Sequence, residues 1–122
     1  MPETRYISQG NVEILLIDLS HMIDYVEVES IVSQAVKLAQ INSGAGALLT
    51  LLDLTGIKIN KEVRSSLKSL SKNNGRYAKV TAFVGLKSFW KLLFTSIFRI
   101  RGKKNHKVFI SRTEAVKWLQ TW

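Results

Sequence analysis

Apolar residues recur along this chain with two periods, and their alternation predicts its elements. Val12 to Ser20 (VEILLIDLS) is a short, β-branched-rich apolar run, which reads as a strand. RYISQG before it, with a turn at Gln9–Gly10–Asn11, predicts a leading hairpin. From Tyr25 to Ile41 the spacing becomes helical. Val28, Ile31, Val32, Ala35, Val36, Leu38 and Ala39 share one side, while Glu27, Ser30, Gln34 and Lys37 share the other. Asp24 is placed to cap this helix, and NSGAG breaks it. Ala47 to Thr55 (ALLTLLDLT) is almost continuously apolar, as in a central parallel strand buried on both faces.

Asn60 is placed to cap the next helix, KEVRSSLKSLSK, which is expected to stop at Asn73–Asn74–Gly75. Val63, Leu67 and Leu70 form its apolar face, and Lys61, Arg64, Lys68 and Lys72 form a stripe opposite, read as a solvated face. Ala78 to Gly85 predicts a strand, Leu86 to Arg101 a helix, and His106 to Ser111 a short strand. SRTEAVKWLQ closes the chain as a helix, with Ser111 and Glu114 spaced as a capping box. Strands alternating with helices of this length predict an α/β fold. The expectation is one domain over residues 1–122: a mixed, mostly parallel sheet of four to five strands with crossover helices.

Composition narrows the chemistry. The 122 residues include no cysteine, which excludes disulfides, thiolate metal sites and cysteine nucleophiles. The start, MPETRYISQG, has no secretory signal pattern, and the apolar runs are too short to span a bilayer. A cytoplasmic location is expected. The net charge is +9 but unevenly spread. Residues 1–57 carry seven acidic residues against Arg5 and Lys37, whereas residues 58–122 carry sixteen Lys and Arg against Glu62 and Glu114. Such polarity favours anionic partners or self-association.

Candidate reactive groups are few. Asp18, His21 and Asp24 are spaced three apart, but they fall in a strand-to-helix loop where such residues commonly turn and cap, so no metal set is assigned. No nucleophile elbow, Walker loop or dinucleotide fingerprint is present, and no cofactor is expected. Asp53, at the end of the central strand, is the best acid candidate, because clefts in parallel sheets lie beyond those ends. Bonding to loop amides is the stronger reading of it, and no catalytic residue is assigned. Gly85, between a strand and a helix, reads as a tight turn as well as an anion contact.

The segment Leu86–Arg101 is apolar around most of its circumference, and Arg99, Arg101, Lys103, Lys104 and Lys107 follow or flank its end. Trp90, Phe94 and Phe98 beside these cations suit a protein interface, a homodimer or an acidic lipid surface. Nucleic acid is the weaker reading, since no recognition motif accompanies the charge.

Asp53-Leu54-Thr55-Gly56-Ile57 resembles the Asp-Leu-Ser/Thr-Gly-Val/Ile pattern of STAS domains, the anti-sigma-factor antagonist or SpoIIAA-like fold. Ala115, Trp118 and Leu119 resemble the Ala-x-x-Trp-Leu ending of the STAS/Sec14-type bacterial branch. The resemblance implies a non-enzymatic regulatory module of a bacterial cytoplasm that binds a protein, or else a lipid or nucleotide. The alternative from the segment Leu86–Arg101 is a carrier or sensor of a lipid or small hydrophobic ligand at an anionic membrane surface. It also implies a phosphoacceptor serine where this chain has Val63, so the usual phospho-switch is not carried over. The interaction surface is expected at Asp53, Thr55, Gly56, Lys58, Asn60, Gly85, Trp90, Phe94, Phe98, Arg99 and Arg101.

Overall fold

The period-two apolar runs form a single five-stranded sheet in the order β1-β2-β3-β4-β5. A computed structural model describes residues 4–10, 12–42, 48–58, 60–85 and 106–122. β1 (Thr4–Gln9) and β2 (Val12–Asp18) make the antiparallel hairpin, and Gly10 takes the left-handed conformation its turn requires, φ 61°. β3 (Leu48–Asp53), β4 (Ala78–Val84) and β5 (His106–Phe109) continue the sheet in parallel from β2. Among the described residues the helices are α1 (Tyr25–Asn42), α2 (Lys61–Tyr77) and α3 (Arg112–Leu119).

Strand parity sorts the core into two layers. Leu15 and Ile17 of β2, Leu48 and Leu52 of β3 and Phe83 of β4 meet the apolar faces of α1 and α2. The intervening residues Ile14, Leu16, Leu49, Leu51, Val80, Ala82 and Val84 face the other way, toward Ala115 and Leu119 of α3. All six residues of β3 are buried, as a central parallel strand demands. β1 is tied to the first layer by Thr4 Oγ1, which donates to Ile31 O at 3.1 Å, and Tyr6 Oη, which donates to Leu38 O at 3.2 Å.

The expected caps form. Asp24 Oδ1 accepts from Val26 N at 2.9 Å, Asn60 Oδ1 from Val63 N at 2.8 Å, and Ser111 Oγ from Glu114 N at 3.3 Å. One expected stop does not occur. α2 continues through Asn73, Asn74 and Gly75 to Tyr77 and joins β4 directly at Ala78. Such residues disfavour a helix interior by only about 0.5–1 kcal/mol each, which tertiary packing of the preceding turns outweighs. β3 and β5 also end sooner than expected, at Asp53 and Phe109. The helix expected over 86–101 lies outside the described residues.

Candidate functional site

The parity that builds the second layer also aims two carboxylates. Ile14, Leu16 and Asp18 alternate on one face of β2, and Leu49, Leu51 and Asp53 on the same face of β3. The register pairs Asp18 with Asp53 at the C-terminal ends of the two strands. α3 packs on that face, and its first residue, Arg112, reaches both acids. The guanidinium donates to Asp53 Oδ2 from Nε at 3.0 Å and from Nη2 at 2.5 Å, and Nη2 lies 3.4 Å from Asp18 Oδ2.

The second oxygen of each acid is engaged locally. Asp18 Oδ1 accepts from Ser20 N at 3.0 Å and from Ser20 Oγ at 2.6 Å. Asp53 Oδ1 accepts from Thr55 N at 3.0 Å and from Thr55 Oγ1 at 2.6 Å. Burial alone would raise the Asp53 pKa. The Thr55 hydroxyl, the Arg112 guanidinium and the Thr55 amide together overcome it and hold the carboxyl below its ordinary value. Burial likewise opposes the charge on Arg112, but Asp53 and then Asp18 raise its pKa. An acid held ionised by a fixed cation and two donors is a poor proton acceptor. The geometry makes this a structural clamp that ties α3 to the ends of β2 and β3.

Beyond the strands the ladder continues through the loops. Leu19 N donates to Asp53 O at 3.0 Å, His21 N to Thr55 O at 2.7 Å, Leu54 N to Val84 O at 2.9 Å and Gly85 N to Phe109 O at 3.1 Å. The fourth residue of each Asp turn is left-handed, His21 at φ 60° and Gly56 at φ 67°. A Cβ on Gly56 would strike the His21 imidazole, and one on Gly85 (φ 84°) would lie 2.5 Å from Thr55 Cα. Gly85 is therefore needed for close packing of adjacent loops as well as for its backbone angle.

Of the residues expected in the interaction surface, Asp53, Thr55, Gly56 and Gly85 come together here. Lys58 is exposed nearby and its amide donates to Met22 O at 2.9 Å; Asn60 caps α2. Trp90, Phe94, Phe98, Arg99 and Arg101 lie outside the described residues. Asp18, His21 and Asp24 serve different tasks: Asp18 joins the clamp, His21 lies over Gly56, and Asp24 caps α1. The sequence reading missed Arg112 and Ser20. The repeated pattern Asp-Leu-Ser and Asp-Leu-Thr was a usable signal for Ser20, but nothing near Arg112 marks its partners. Ile23 and Val26, after β2, and Ile110, after β5, project apolar side chains from the same end of the sheet with 71%, 56% and 92% exposure.

No protein-family model matches the chain, and no curated protein matches it. Among solved structures it is similar to an uncharacterised DUF3478-family protein with a SpoIIAA-like fold from Shewanella loihica PV-4. The TM-score is 0.70 at 15% identity, covering 95% of this chain and 91% of that one. The chain has a SpoIIAA-like fold. The STAS resemblance drawn from Asp53–Ile57 is thus borne out at the level of the fold. In this SpoIIAA-like frame, the Asp53 turn sits between the His21 loop and Gly85, at the centre of the strand-end surface. No helix among the described residues is long and apolar enough to cross a membrane.

Proposed function

We propose that the protein is a non-catalytic regulatory module of the cytoplasm that binds a protein partner, or a second copy of itself, through the C-terminal ends of its parallel strands. One observation carries the reading. Three ionisable groups at that end, Asp18, Asp53 and Arg112, are bonded to one another, while the apolar side chains of Ile23, Val26 and Ile110 stand exposed. Such a surface offers apolar contact area beside a compensated charge cluster, which suits recognition better than catalysis. The position of the STAS phosphoacceptor supports a departure from the phospho-switch. Val63 is fully buried on the core face of α2, Ser66 is buried, and Ser65 lies within the helix.

Photo-crosslinking side chains placed at Ile23, Ile110 and, as a control on the solvated α2 stripe, Lys72 would test this in cells that express the protein. Adducts to one partner, or to a second copy, at 23 and 110 but not at 72 are expected. Adducts only at 72, or none, would remove the surface from the claim. The second reading, a carrier or sensor of lipid at an anionic membrane, rests on the composition of residues 86–101. It requires a folded Trp90/Phe94/Phe98→Ser variant to lose binding to phosphatidylserine vesicles.

A further inference from the structure

α1 carries one row of side chains that stays outside the core. Its apolar side packs on the sheet through Val28, Ile31, Val32, Ala35 and Ala39. Tyr25, Glu29, Ser33, Lys37 and Ile41 follow one another at intervals of four along another side, over about 24 Å of helix. Every member of this row is exposed, Tyr25 by 42% and Ile41 by 76%. Outward from Ser33 the order is the same in both directions: an ion, then a large apolar side chain. The two ions, Glu29 and Lys37, are equidistant from Ser33 and opposite in sign.

The row borders an open groove of about 690 Å³ between α1 and α2, and Ser65, Ser66 and Ser69 give its α2 wall short side chains. Both helices start beyond the same ends of the parallel strands β2 and β3, so Glu62, in the first turn of α2, lies toward the Glu29 end of the groove. That end therefore holds two carboxylates, and Lys37 lies toward the other. Among the described residues none of these three charges is ion-paired.

We infer that this face binds a second copy of the chain, with the two α1 helices antiparallel across a two-fold axis at Ser33. A two-fold contact requires a surface complementary to itself, and the row meets that condition. With Ser33 on the axis, Glu29 faces the partner's Lys37 and Tyr25 faces the partner's Ile41, and the same two contacts recur on the other side of the axis. Ser33 is small enough for the helices to approach where they cross, and rows at intervals of four are the ridges by which helices commonly interlock. Each α1 then enters the groove between α1 and α2 of the other copy, which sets Lys37 beside the partner's Glu62 as well as the partner's Glu29. A small ligand fits less well, because such sites bury most of their ligand and this groove is open along its length. A helix pair with its flanking grooves is a small interface, so the dimer should be weak, with a dissociation constant on the order of 10 µM. This face is separate from the strand-end surface, so either can fail alone.

Sedimentation of the purified chain from about 1 to 500 µM should show reversible dimer formation. Glu29→Lys and Lys37→Glu should each weaken it at least about tenfold, because each sets like charges across the axis. Mixed in equal amounts, the two variants should form the dimer again, since opposite charges then meet at both contacts. Such rescue does not arise from a folding defect in either variant. The chain has no cysteine, so Ser33→Cys should give a disulfide-linked dimer on mild oxidation, and Lys68→Cys should not. Ile110→Ser, at the strand ends, should leave the dimer unchanged. A chain that stays monomeric, self-association insensitive to the reversals, a mixture that fails to restore it, or linkage through position 68 in preference to 33 would overturn the inference. Loss of the dimer with Ile110→Ser but not with the reversals would assign self-association to the strand ends. A monomeric chain whose position 33, carrying a photo-crosslinking side chain in cells, captures a different protein would assign the groove to a helix of that protein. Either outcome also overturns it.

Discussion

Two turns of this molecule carry nearly the same four residues. Asp18–Leu19–Ser20–His21 follows β2, and Asp53–Leu54–Thr55–Gly56 follows β3. Locally they are built alike. In each, the acid accepts from the amide and hydroxyl two residues on, the leucine is buried, and the fourth residue is left-handed. Their surroundings differ. The Asp53 turn lies between two neighbouring loops, with the His21 ring on one side and Gly85 on the other, and its acid takes both guanidinium bonds at 5% exposure. The Asp18 turn lies nearer the edge and its acid has one longer contact, 3.4 Å, to the same cation. The same four-residue chemistry is therefore integral to the core in one copy and peripheral in the other, because position in the sheet decides how much water each acid keeps.

Breaking the inner turn should have the largest effect. Gly85→Ala places a methyl against the Thr55 backbone at a left-handed φ, so it should destabilise the domain by about 3 kcal/mol or more in chemical denaturation. Removal of the shared cation comes next. Arg112→Met leaves Asp53 buried without its partner; with 38% of the Arg112 side chain exposed, a cost of about 2 kcal/mol is expected. In that background Asp18→Asn should become stabilising, because it relieves two carboxylates left side by side. An additive double mutant would show that Arg112 and Asp18 are not coupled.

The two acids should then separate under smaller changes. Asp53→Asn should cost about 1–2 kcal/mol and Asp18→Asn less than about 1 kcal/mol. The pH dependence follows from the lowered pKa of Asp53. Its contribution is fully present above the unfolded carboxylate value, about 3.9, and is lost as pH falls through the lower folded value. Denaturation midpoints measured from about pH 2 to pH 6 should show this acid limb in the wild type, and its Asp53 component should be missing in Asp53→Asn. The smallest effect compares the fourth positions. His21→Gly removes a side chain from a left-handed site and should stabilise by up to about 1 kcal/mol, whereas Gly56→Ala should destabilise.

Much of the fold was legible because it is written in local periodicity. The unbroken apolar run in ALLTLLDLT reflects a strand dry on both faces, the helical spacing from Val28 to Ala39 reflects a helix dry on one, and the caps Asp24, Asn60 and Ser111 answer backbone donors within three residues. The end of α2 was not legible. Asn73, Asn74 and Gly75 carry a local stop signal, and the helix nonetheless runs to the residue before β4. Half of the candidate site was visible, in Asp53, Thr55, Gly56 and Gly85, since each sits where a strand must turn. Its other half was not.

By itself the sequence determined the strands, their inward and outward faces, the helix starts and the direction in which Asp18 and Asp53 would point once their strands were placed. Short-range sterics and solvent exclusion act residue by residue, so they leave a pattern in the chain. Only the tertiary structure decided that the two acids would be register partners, that Arg112, 59 residues beyond Asp53, would join them, and that one Asp turn would be enclosed while its near-copy stayed at the margin. These depend on strand order and on the docking of α3. Interactions between residues distant in sequence and adjacent in space leave no period to read, and a lone arginine at a helix start gives no sign of which charge it will meet.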